Sequence, residues 1–424
     1  MMNSFAQNPD VIVIGAGAAG LSAAAALRTA GLDAVILEAA AYVGGRCVTD
    51  CTTFSVPFDR GGSWMHDASI NPLARLAEQS GAELHKTPWI WSHVQTMGHR
   101  LSDDQLADYR QYQDDLWKVI NATDGNLPDV ANRSVLPDGP WVESAKHVIG
   151  QMMGGDADAT SAQDVCNYAD GEGDWLITGG LGAFIGRLHR DVPVRCKCSV
   201  SKIDTTGPRV RVTTPQGTLE VPHVIVTVST GVLARETIEF VPPLPAQKRA
   251  AIDMIPNGLL NKVGIEFDPT WKEAVEGNMA DYHSGDDNFC NILFGFYGSA
   301  LTTGFVAGSF ADHLETEGTG AATAFCLEAL RSMFGNDIGK SILRTTETAW
   351  RGDPNTVGAY SFARPGAADS RKVLAAPIDE SLHIAGEATM TDAYATVHGA
   401  YLSGKRAAQD VLSLTRRTHG IAAR

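Results

Sequence analysis

The chain of 424 residues is long enough for two domains, because a single hydrophobic core rarely serves more than about 250–300 residues. Hydrophobic residues make up 44% of it and charged residues 20%, which is typical of globular proteins. The formal net charge of −15 disfavours nucleic acid or an anionic membrane surface as the main partner.

The cysteine content and the hydropathy of the chain disfavour disulfide-bonded, metal-binding and membrane proteins. The seven cysteines are scattered and odd in number, so they predict no disulfide framework, and a cytoplasmic location is expected. Cys196 and Cys198 lie two residues apart, but no second pair or histidine set completes a metal site. The first ten residues lack the basic start of a signal peptide, and no run of eighteen apolar residues could span a membrane. We therefore predict no metal and no membrane association.

The first motif is an apolar strand followed by a glycine-rich turn. Val11–Ile14 predict a strand buried on both faces, and Gly15, Gly17 and Gly20 lead with G-x-G-x-x-G spacing into an alanine-rich helix. The first glycine allows the tight turn, the second lets the backbone approach a pyrophosphate, and the third lets the helix lie close to the strand. The free N–H groups at the helix start favour phosphates.

A second strand and an acid complete this unit. Gly31 is placed to end the helix, Ala34–Leu37 form the next apolar strand, and Glu38 follows it. A carboxylate there can accept hydrogen bonds from both ribose hydroxyls. These features predict a dinucleotide site, with NAD and FAD equally compatible at this point. The alternative is a glycine-rich turn without a ligand. Directly afterwards, the loop that ends in Arg46 can offset phosphate charge or face an electron-rich ring.

The remaining chain alternates between two kinds of pattern. Residues 73–173 show helical spacing, with a helix start at Ser102, and we interpret them as part of a second domain. Elements are further predicted as a hairpin at 209–221, strands at 224–228, 262–267, 291–297 and 303–310, a helix at 320–334 and a short strand at 382–385. Thr396 is a good N-cap for the last helix, whose N-terminus could stabilise negative charge on a bound flavin ring. A well-capped terminal helix without that role is the alternative.

Six blocks in this order resemble the flavin-containing amine oxidase superfamily of monoamine oxidases, polyamine and spermine oxidases and lysine-specific histone demethylases. The resemblance spans nearly the whole chain and is closest to the polyamine oxidase-like branch. The blocks are the glycine motif with Glu38, Gly44-Gly45-Arg46, the segment with Trp64 and His66, residues 240–245 with 260–263, residues 350–354 with 358–361, and Gly386-Glu387 with residues 395–404.

The resemblance implies a Rossmann-like FAD-binding domain, residues 1–72, 174–257 and 372–424. It is interleaved with a mixed-sheet and helical substrate-binding domain, residues 73–173 and 258–371, which makes the fold class α/β combined with α+β. FAD contacts are expected from Gly15, Gly17, Ala19, Gly20, Glu38, Gly45, Arg46, Gly62, Ser63, Trp64, Val200, Trp350, Gly386, Glu387, Thr396 and Val397.

The resemblance also implies roles near the reacting end of the cofactor. Lys262 matches the lysine that holds a water beside flavin N5, and Tyr360 matches an aromatic residue of the substrate cage. Thr396 stands where monoamine oxidases have a second tyrosine, so the two-ring cage looks broken. Ala359 stands where they have the flavin-bonding cysteine, which implies non-covalent FAD. Two further pocket residues are implied, Trp350 near the flavin and His66 near the substrate amine.

The expected function is therefore oxidation of the C–N bond of a polyamine or other alkyl amine. A hydride equivalent passes to flavin N5, the imine hydrolyses, and molecular oxygen reoxidises the flavin to give hydrogen peroxide. The expected assembly is a monomer or homodimer. Two alternatives stay open at this point: a flavin desaturase or oxidase acting on C–C bonds of a hydrophobic substrate, and a non-catalytic FAD-binding scaffold.

Overall fold

The computed structural model describes residues 9–86, 90–96, 98–121, 127–169, 171–271, 278–285 and 288–418. The outermost residues of the predicted FAD-binding segments, 1–8 and 419–424, lie outside this part. The described strands are β1 (Val11–Ile14), β2 (Ala34–Leu37), β3 (Thr49–Asp50), β4 (Phe58–Asp59), β5 (Trp64–Met65), β6 (Leu84–His85), β7 (Ile90–Thr96), β8 (His99–Arg100), β9 (Trp175–Ile177), β10 (Val194–Arg195), β11 (Lys202–Asp204), β12 (Val210–Thr214), β13 (Gly217–Val221), β14 (His223–Val226), β15 (Glu239–Val241), β16 (Leu260–Phe267), β17 (Asn278–Gly285), β18 (Asn288–Phe296), β19 (Leu301–Ala307), β20 (Ile342–Glu347) and β21 (Leu382–Ile384).

The described α-helices are α1 (Ala18–Thr29), α2 (Pro72–Gln79), α3 (Asp103–Asn121), α4 (Val142–Met153), α5 (Ala162–Cys166), α6 (Leu181–Leu188), α7 (Thr230–Ala234), α8 (Ala246–Met254), α9 (Gly308–Glu317), α10 (Ala321–Phe334), α11 (Ser370–Ala375) and α12 (Val397–Thr418). Short 3₁₀ helices cover Asn132–Val135, Asn336–Ser341 and Glu387–Thr389. Of the helices described, none is both long and apolar enough to cross a membrane.

A five-stranded parallel sheet forms the first core. Its order is β10-β2-β1-β14-β21, with β1 at the centre, and β1 and β2 are buried along their full length. The apolar runs that predicted two-sided burial are thus confirmed, since helices cover both faces of a parallel sheet. This is the Rossmann-like arrangement predicted from the glycine motif.

Helix α1 packs along α12, so the first and last helices of the chain lie against each other. The Ser22 hydroxyl donates to the Tyr401 carbonyl at 2.7 Å, and no side chain larger than hydrogen fits at Gly404. Leu73 and Ala77 of α2 are buried in this same core. The domain boundary predicted at residue 73 therefore falls inside a helix that packs with the parallel sheet. The domain assignment as a whole stays a prediction.

A seven-stranded mixed sheet forms the second core, in the order β20-β16-β19-β18-β17-β7-β8. Helices α9 and α10 pack on one face through Ala311, Cys326 and Ala329, and the other face borders the cavity described below. The strands predicted at 262–267 and 291–297 are present as β16 and β18, which begin two and three residues earlier, and β18 ends one residue earlier. The strand predicted at 303–310 ends earlier, at Ala307, because Gly308 adopts φ +61° and begins α9.

The prediction that residues 73–173 are helical is wrong for β6, which pairs with β9, and for the segment of β7 and β8. β7 pairs in parallel with β17, and β8 pairs with β7, so this segment supplies the edge of the second sheet. Its partner strand lies nearly two hundred residues later in the chain. The spacing of apolar residues within this segment does not indicate a partner so far along the chain, so the strands were not predicted from it.

Replacement of Gly404 by alanine is expected to loosen the contact between α1 and α12. The added Cβ would lie 2.0 Å from the Ala19 carbonyl oxygen, so the helices must separate, at a cost of about 1–3 kcal/mol in unfolding free energy. Gly186→Ala in α6 is the matched control, because its Cβ meets no atom within 4 Å and alanine favours the helix by roughly 0.5–1 kcal/mol. In denaturant unfolding, Gly404→Ala should lower the free energy of unfolding and Gly186→Ala should raise it. Equal stability of both would contradict the packing argument.

Candidate active site

One cavity of about 1430 Å³ runs from the β1–α1 turn to the inner face of the seven-stranded sheet. All but one of the predicted site residues line it. Those that do are Gly15, Gly17, Ala19, Glu38, Gly45, Arg46, Gly62, Ser63, Trp64, His66, Val200, Lys262, Trp350, Tyr360, Gly386, Glu387, Thr396 and Val397. The structure thus brings together residues from both ends and the middle of the chain.

Gly20 is the exception, because it does not line the cavity. A Cβ at this position would lie 1.9 Å from the Gly15 carbonyl oxygen and 3.1 Å from the Thr227 hydroxyl. The FAD contact expected of Gly20 is therefore corrected: this glycine lets α1 lie close to the strand, as its place in the motif also suggested.

The dinucleotide cradle consists of the β1–α1 turn with Gly15 and Gly17, and the neighbouring Gly44-Gly45 loop. Gly17 and Gly44 form a parallel bridge, and the Gly44 N–H donates to the Ala16 carbonyl at 2.9 Å. No side chain caps the start of α1, and a Cβ on Gly45 would fill the space 3.6 Å from the Gly17 Cα atom. Uncapped amides facing an open cradle fit the pyrophosphate of a dinucleotide such as FAD.

Glu38 lies at the far end of this cradle. Its carboxylate accepts hydrogen bonds from the N–H groups of Ala16 at 2.6 Å and Ala40 at 2.7 Å, which hold it beside the cavity. Val200 lines the same end. These positions fit the adenosine half of the cofactor, with the acid at the ribose as the sequence predicts.

At the other end of the cradle, Glu387 receives several donors in a buried position. Its carboxylate accepts from Arg46 Nη1 at 2.9 Å, from the Ser361 hydroxyl at 2.6 Å and from the Ala395 N–H at 3.0 Å. Arg46 also donates to the Ala359 carbonyl at 2.6 Å. Burial raises the pKa of Glu387, but Arg46 and the hydrogen bonds outweigh it, so the pKa lies below its ordinary value.

Lys262 lies on the face of β16 that borders the cavity and is 3% exposed. Its ammonium donates to the Asp59 carbonyl at 3.0 Å, to the Gly61 carbonyl and to the Ser63 hydroxyl. Burial lowers the pKa of Lys262 to about 8, although the charge of Asp59 favours the protonated form. The lysine therefore titrates close to physiological pH.

Four rings that line the same cavity as this lysine form what we call the aromatic chamber: Trp64, Phe305, Trp350 and Tyr360. The Lys262 Nζ atom lies 5.3 Å from the Trp64 ring centroid and 5.8 Å from that of Phe305. Trp350 is buried and borders Gly61. Tyr360 packs its ring on Gly154 and donates its hydroxyl to the Gln151 carbonyl.

His66 lies at the edge of this chamber, paired with an acid that the sequence did not reveal. Its Nδ1 atom is 2.8 Å from a carboxylate oxygen of Asp174, and its ring stacks on Trp64 at 6.0 Å. Burial lowers the pKa of His66, but the hydrogen bond and charge of Asp174 outweigh this and raise the pKa above its ordinary value.

The Thr396 hydroxyl forms two hydrogen bonds with backbone groups. It donates to the Ala393 carbonyl at 2.7 Å and accepts from the Gly399 N–H at 2.9 Å, so the predicted N-cap is confirmed. A side chain held this way orients the start of α12 toward the cavity. The catalytic role implied for Thr396 stays a prediction.

Sequence reasoning missed several cavity residues besides Asp174. Tyr394 lines the cavity immediately before α12 and contacts Tyr168 edge-on at 5.5 Å, and the Tyr168 hydroxyl donates to Asp67 at 2.7 Å. These rings form a further aromatic wall. Tyr394 directly precedes residues 395–404 of the closing block of the resemblance but is not part of it, and Asp67 and Tyr168 carry no motif.

A cavity that holds a dinucleotide cradle at one end and an aromatic chamber with a buried lysine at the other defines a dinucleotide-dependent oxidoreductase. Residues 135–412 match the family described as flavin containing amine oxidoreductase, and residues 13–79 match an NAD(P)-binding Rossmann-like domain. The chain therefore belongs to the flavin-containing amine oxidase family, which uses FAD.

Similar proteins include oxidases and demethylases. Polyamine oxidases 4 and 3 of Oryza sativa subsp. japonica are 29% and 30% identical, over 96% and 95% of this chain and 89% of each relative. Lysine-specific histone demethylase 1 homolog 1 of the same organism is 29% identical over 96% of this chain, which spans only 53% of that protein. A structure of putrescine oxidase bound to putrescine shares the fold, with a TM-score of 0.78 and 22% identity over 96% of this chain and 99% of that one.

The titration of Lys262 predicts a pH-dependent stability difference between the flavin-free wild type and Lys262→Met. The lysine pKa is about 8 in the folded protein and 10.5 in the unfolded chain. Between these values the unfolded chain binds one more proton, so the stability of the wild type rises with pH. Relative to the variant, the wild type should gain roughly 3 kcal/mol across this window. Denaturant unfolding at several pH values measures the difference. A pH-independent difference would contradict the lowered pKa.

Proposed function

We propose that the protein oxidises the C–N bond of a cationic alkyl amine or polyamine, using non-covalently bound FAD and molecular oxygen and releasing hydrogen peroxide. The observation that carries the proposal is the single cavity that joins the dinucleotide cradle to an aromatic chamber edged with carboxylates. Similarity to polyamine oxidases along almost the whole chain supports it.

Acidic side chains along the cavity would attract the cationic substrate. Asp67, Asp174 and Asp281 line the part of the cavity away from the cradle. Lys86 also borders it, but its charge is paired with Glu78 at 2.8 Å. Asp174 is likewise paired, with His66 at 2.8 Å, so the attraction of a protonated amine from solvent would come mainly from Asp67 and Asp281.

The aromatic chamber would then favour loss of the amine proton. Only a neutral amine has the lone pair that assists departure of the Cα–H as a hydride equivalent. Trp350 and Tyr360 replace the water around the amine by aromatic surface, and desolvation lowers the pKa of an ammonium group. FAD, when bound, supplies the redox chemistry, and the protein orients the amine and excludes water.

We propose that Lys262 positions a water molecule that takes part in the reaction. Its ammonium lies among Asp59, Gly61 and Ser63 at the edge of the chamber, where one hydrogen bond can be exchanged for a water. Such a water is positioned by the lysine and excluded from bulk solvent. With a pKa near 8, the lysine could also exchange a proton with it.

Non-covalent cofactor binding is supported by the residues at the flavin end of the cradle. Ala359 lines the cavity at the position implied for a flavin-bonding cysteine, and its methyl group forms no such bond. Cys47 also borders the cavity, but burial raises its pKa well above the ordinary value and keeps it a thiol. The seven cysteines are all free, which supports the cytoplasmic location that we include in the proposal. The proposal also includes a monomer or homodimer.

An anaerobic screen tests the reaction class. Alkyl amines, diamines and polyamines are expected to bleach the flavin absorbance, whereas apolar polyenes are not. Readmission of air should then restore the absorbance and release one peroxide per amine oxidised, and an artificial acceptor serves as the comparison. If polyenes bleach the flavin and no amine does, the amine proposal is wrong.

Lys262→Met should retain yellow, non-covalent FAD but slow flavin reduction or reoxidation by at least about tenfold, a typical scale for loss of a positioned proton-transfer group. Lys248→Met is the matched control. Lys248 is likewise buried, has a pKa lowered to about 8 and donates to the Leu374 carbonyl at 3.1 Å, but it does not line the cavity. Stopped-flow traces should therefore change for the first variant only. Unchanged rates in Lys262→Met would falsify the role proposed for this lysine.

A further inference from the structure

Four lysine and arginine side chains among the described residues line the cavity, and three of them have partners within the protein. Arg46 donates to Glu387 at 2.9 Å, and Lys86 is paired with a glutamate at 2.8 Å. Lys262 is buried and donates to oxygens of the segment 59–63. The protein itself thus supplies acceptors for these three charges.

Arg60 is the fourth of these cations and differs from the others. Its side chain is exposed, and its guanidinium forms no hydrogen bond or ion pair with any residue that the structure describes. The Arg60 N–H donates to the Val48 carbonyl at 3.0 Å, which ties this residue to the chain that follows the Gly44-Gly45 loop. A charge that lines a cavity without a protein partner is available to a ligand.

The segment that carries Arg60 lies beside the dinucleotide cradle. The Gly62 N–H donates to the Arg46 carbonyl at 3.0 Å. Gly61 has no room for a side chain, because a Cβ there would lie 1.8 Å from the same carbonyl oxygen. Arg60 is therefore carried by backbone that packs against the end of the glycine loop.

Tyr42 shows which part of the cradle Arg60 faces. This tyrosine lies in the loop between Glu38 and Gly44, borders the cavity and is 43% exposed. Burial and then the charge of Asp353 raise the pKa of Tyr42, whereas the charge of Arg60 acts in the opposite direction. Arg60 thus lies within electrostatic reach of the loop that leads from the ribose acid to the glycine loop.

The cradle needs a cation when a dinucleotide is bound. Each phosphate of a pyrophosphate carries a negative charge, and the start of α1 supplies only about half an elementary charge through its amides. Glu38 and Glu387 also line the cavity, and Arg46 balances the second of these acids. Without a further cation, the cradle and its ligand would hold an excess of negative charge.

We propose that Arg60 binds the pyrophosphate of FAD from the open side of the cradle. A guanidinium can donate two parallel hydrogen bonds to phosphate oxygens, and such charged pairs are stronger than neutral hydrogen bonds. Arg60 is absent from the contacts expected from the sequence, so it adds a cofactor-binding residue to them. The inference rests on FAD as the cofactor of the family and not on the identity of the substrate.

The test measures how tightly the holoenzyme holds FAD. Arg60→Met removes the charge, so the dissociation constant, measured from the fluorescence of flavin released on dilution, should rise at least about tenfold, the scale of one hydrogen bond to a charged group. Arg75→Met is the matched control, because Arg75 of α2 is also exposed but does not line the cavity. Its FAD affinity should stay within about twofold of the wild type, since solvent and salt screen a distant charge.

Salt separates charge pairing from a structural effect. The dissociation constant of the wild type should rise with sodium chloride concentration, and this dependence should be weaker in Arg60→Met. Arg60→Lys keeps the charge but not the planar fork, so it should retain the salt dependence and have an affinity between those of the wild type and Arg60→Met. This second variant decides the matter even if Arg60→Met is isolated without flavin.

Equal FAD affinity in Arg60→Met and Arg75→Met would overturn the inference and leave Arg60 an ordinary surface arginine. A salt dependence that is unchanged in Arg60→Met, or lost in Arg60→Lys, would overturn it as well. None of these measurements contains an amine, so each of these results leaves amine oxidation intact. Absence of flavin reduction by every amine would instead refute the proposed function and leave the role of Arg60 in FAD binding unaffected.

Discussion

The buried carboxylate of Glu387 joins three segments that are distant in sequence. It accepts hydrogen bonds from Arg46, which lies in the loop after β2, from Ser361, which follows Tyr360, and from the Ala395 N–H, which lies just before α12. Burial of a carboxylate without hydrogen-bond donors costs free energy. The position of each segment is therefore fixed by the hydrogen bond that it donates to Glu387. The cavity takes its shape from this constraint, because all three segments line it.

A second buried charge supports the first. Arg371 is fully buried, forms a paired hydrogen bond with both oxygens of Asp164 at 2.7 Å, and donates to the Ser361 hydroxyl at 2.8 Å. Its guanidinium also lies 3.9 Å from the ring centroid of Tyr394. The arginine thus connects helix α5 of the helical region with the segment that holds Glu387. Two cations and two anions alternate in this network, so the low-dielectric interior holds no unbalanced charge.

The parts of the molecule that could be predicted from sequence are those with local causes. Val11–Ile14 and the glycine turn specify a strand, a turn and a helix within forty residues, and Thr396 specifies a helix start through its own hydroxyl. The pairing of β7 with β17 depends on register between strands that are far apart in the chain. No periodicity within one strand encodes its neighbour. For the same reason His66 could be singled out by its motif, whereas its partner Asp174 could not.

Burial and charge act in opposite directions on an amine in this cavity, and their separation in space resolves the conflict. A carboxylate favours the protonated amine, and a desolvated aromatic surface favours the neutral one. If both effects acted at the same place, capture of the cation would prevent its oxidation. Here Asp174 lies beside His66 at the edge of the chamber, whereas the rings of Trp350 and Tyr360 line the cavity next to Gly61 and Ala359. The same burial that lowers the pKa of Lys262 would lower the pKa of an amine beside it.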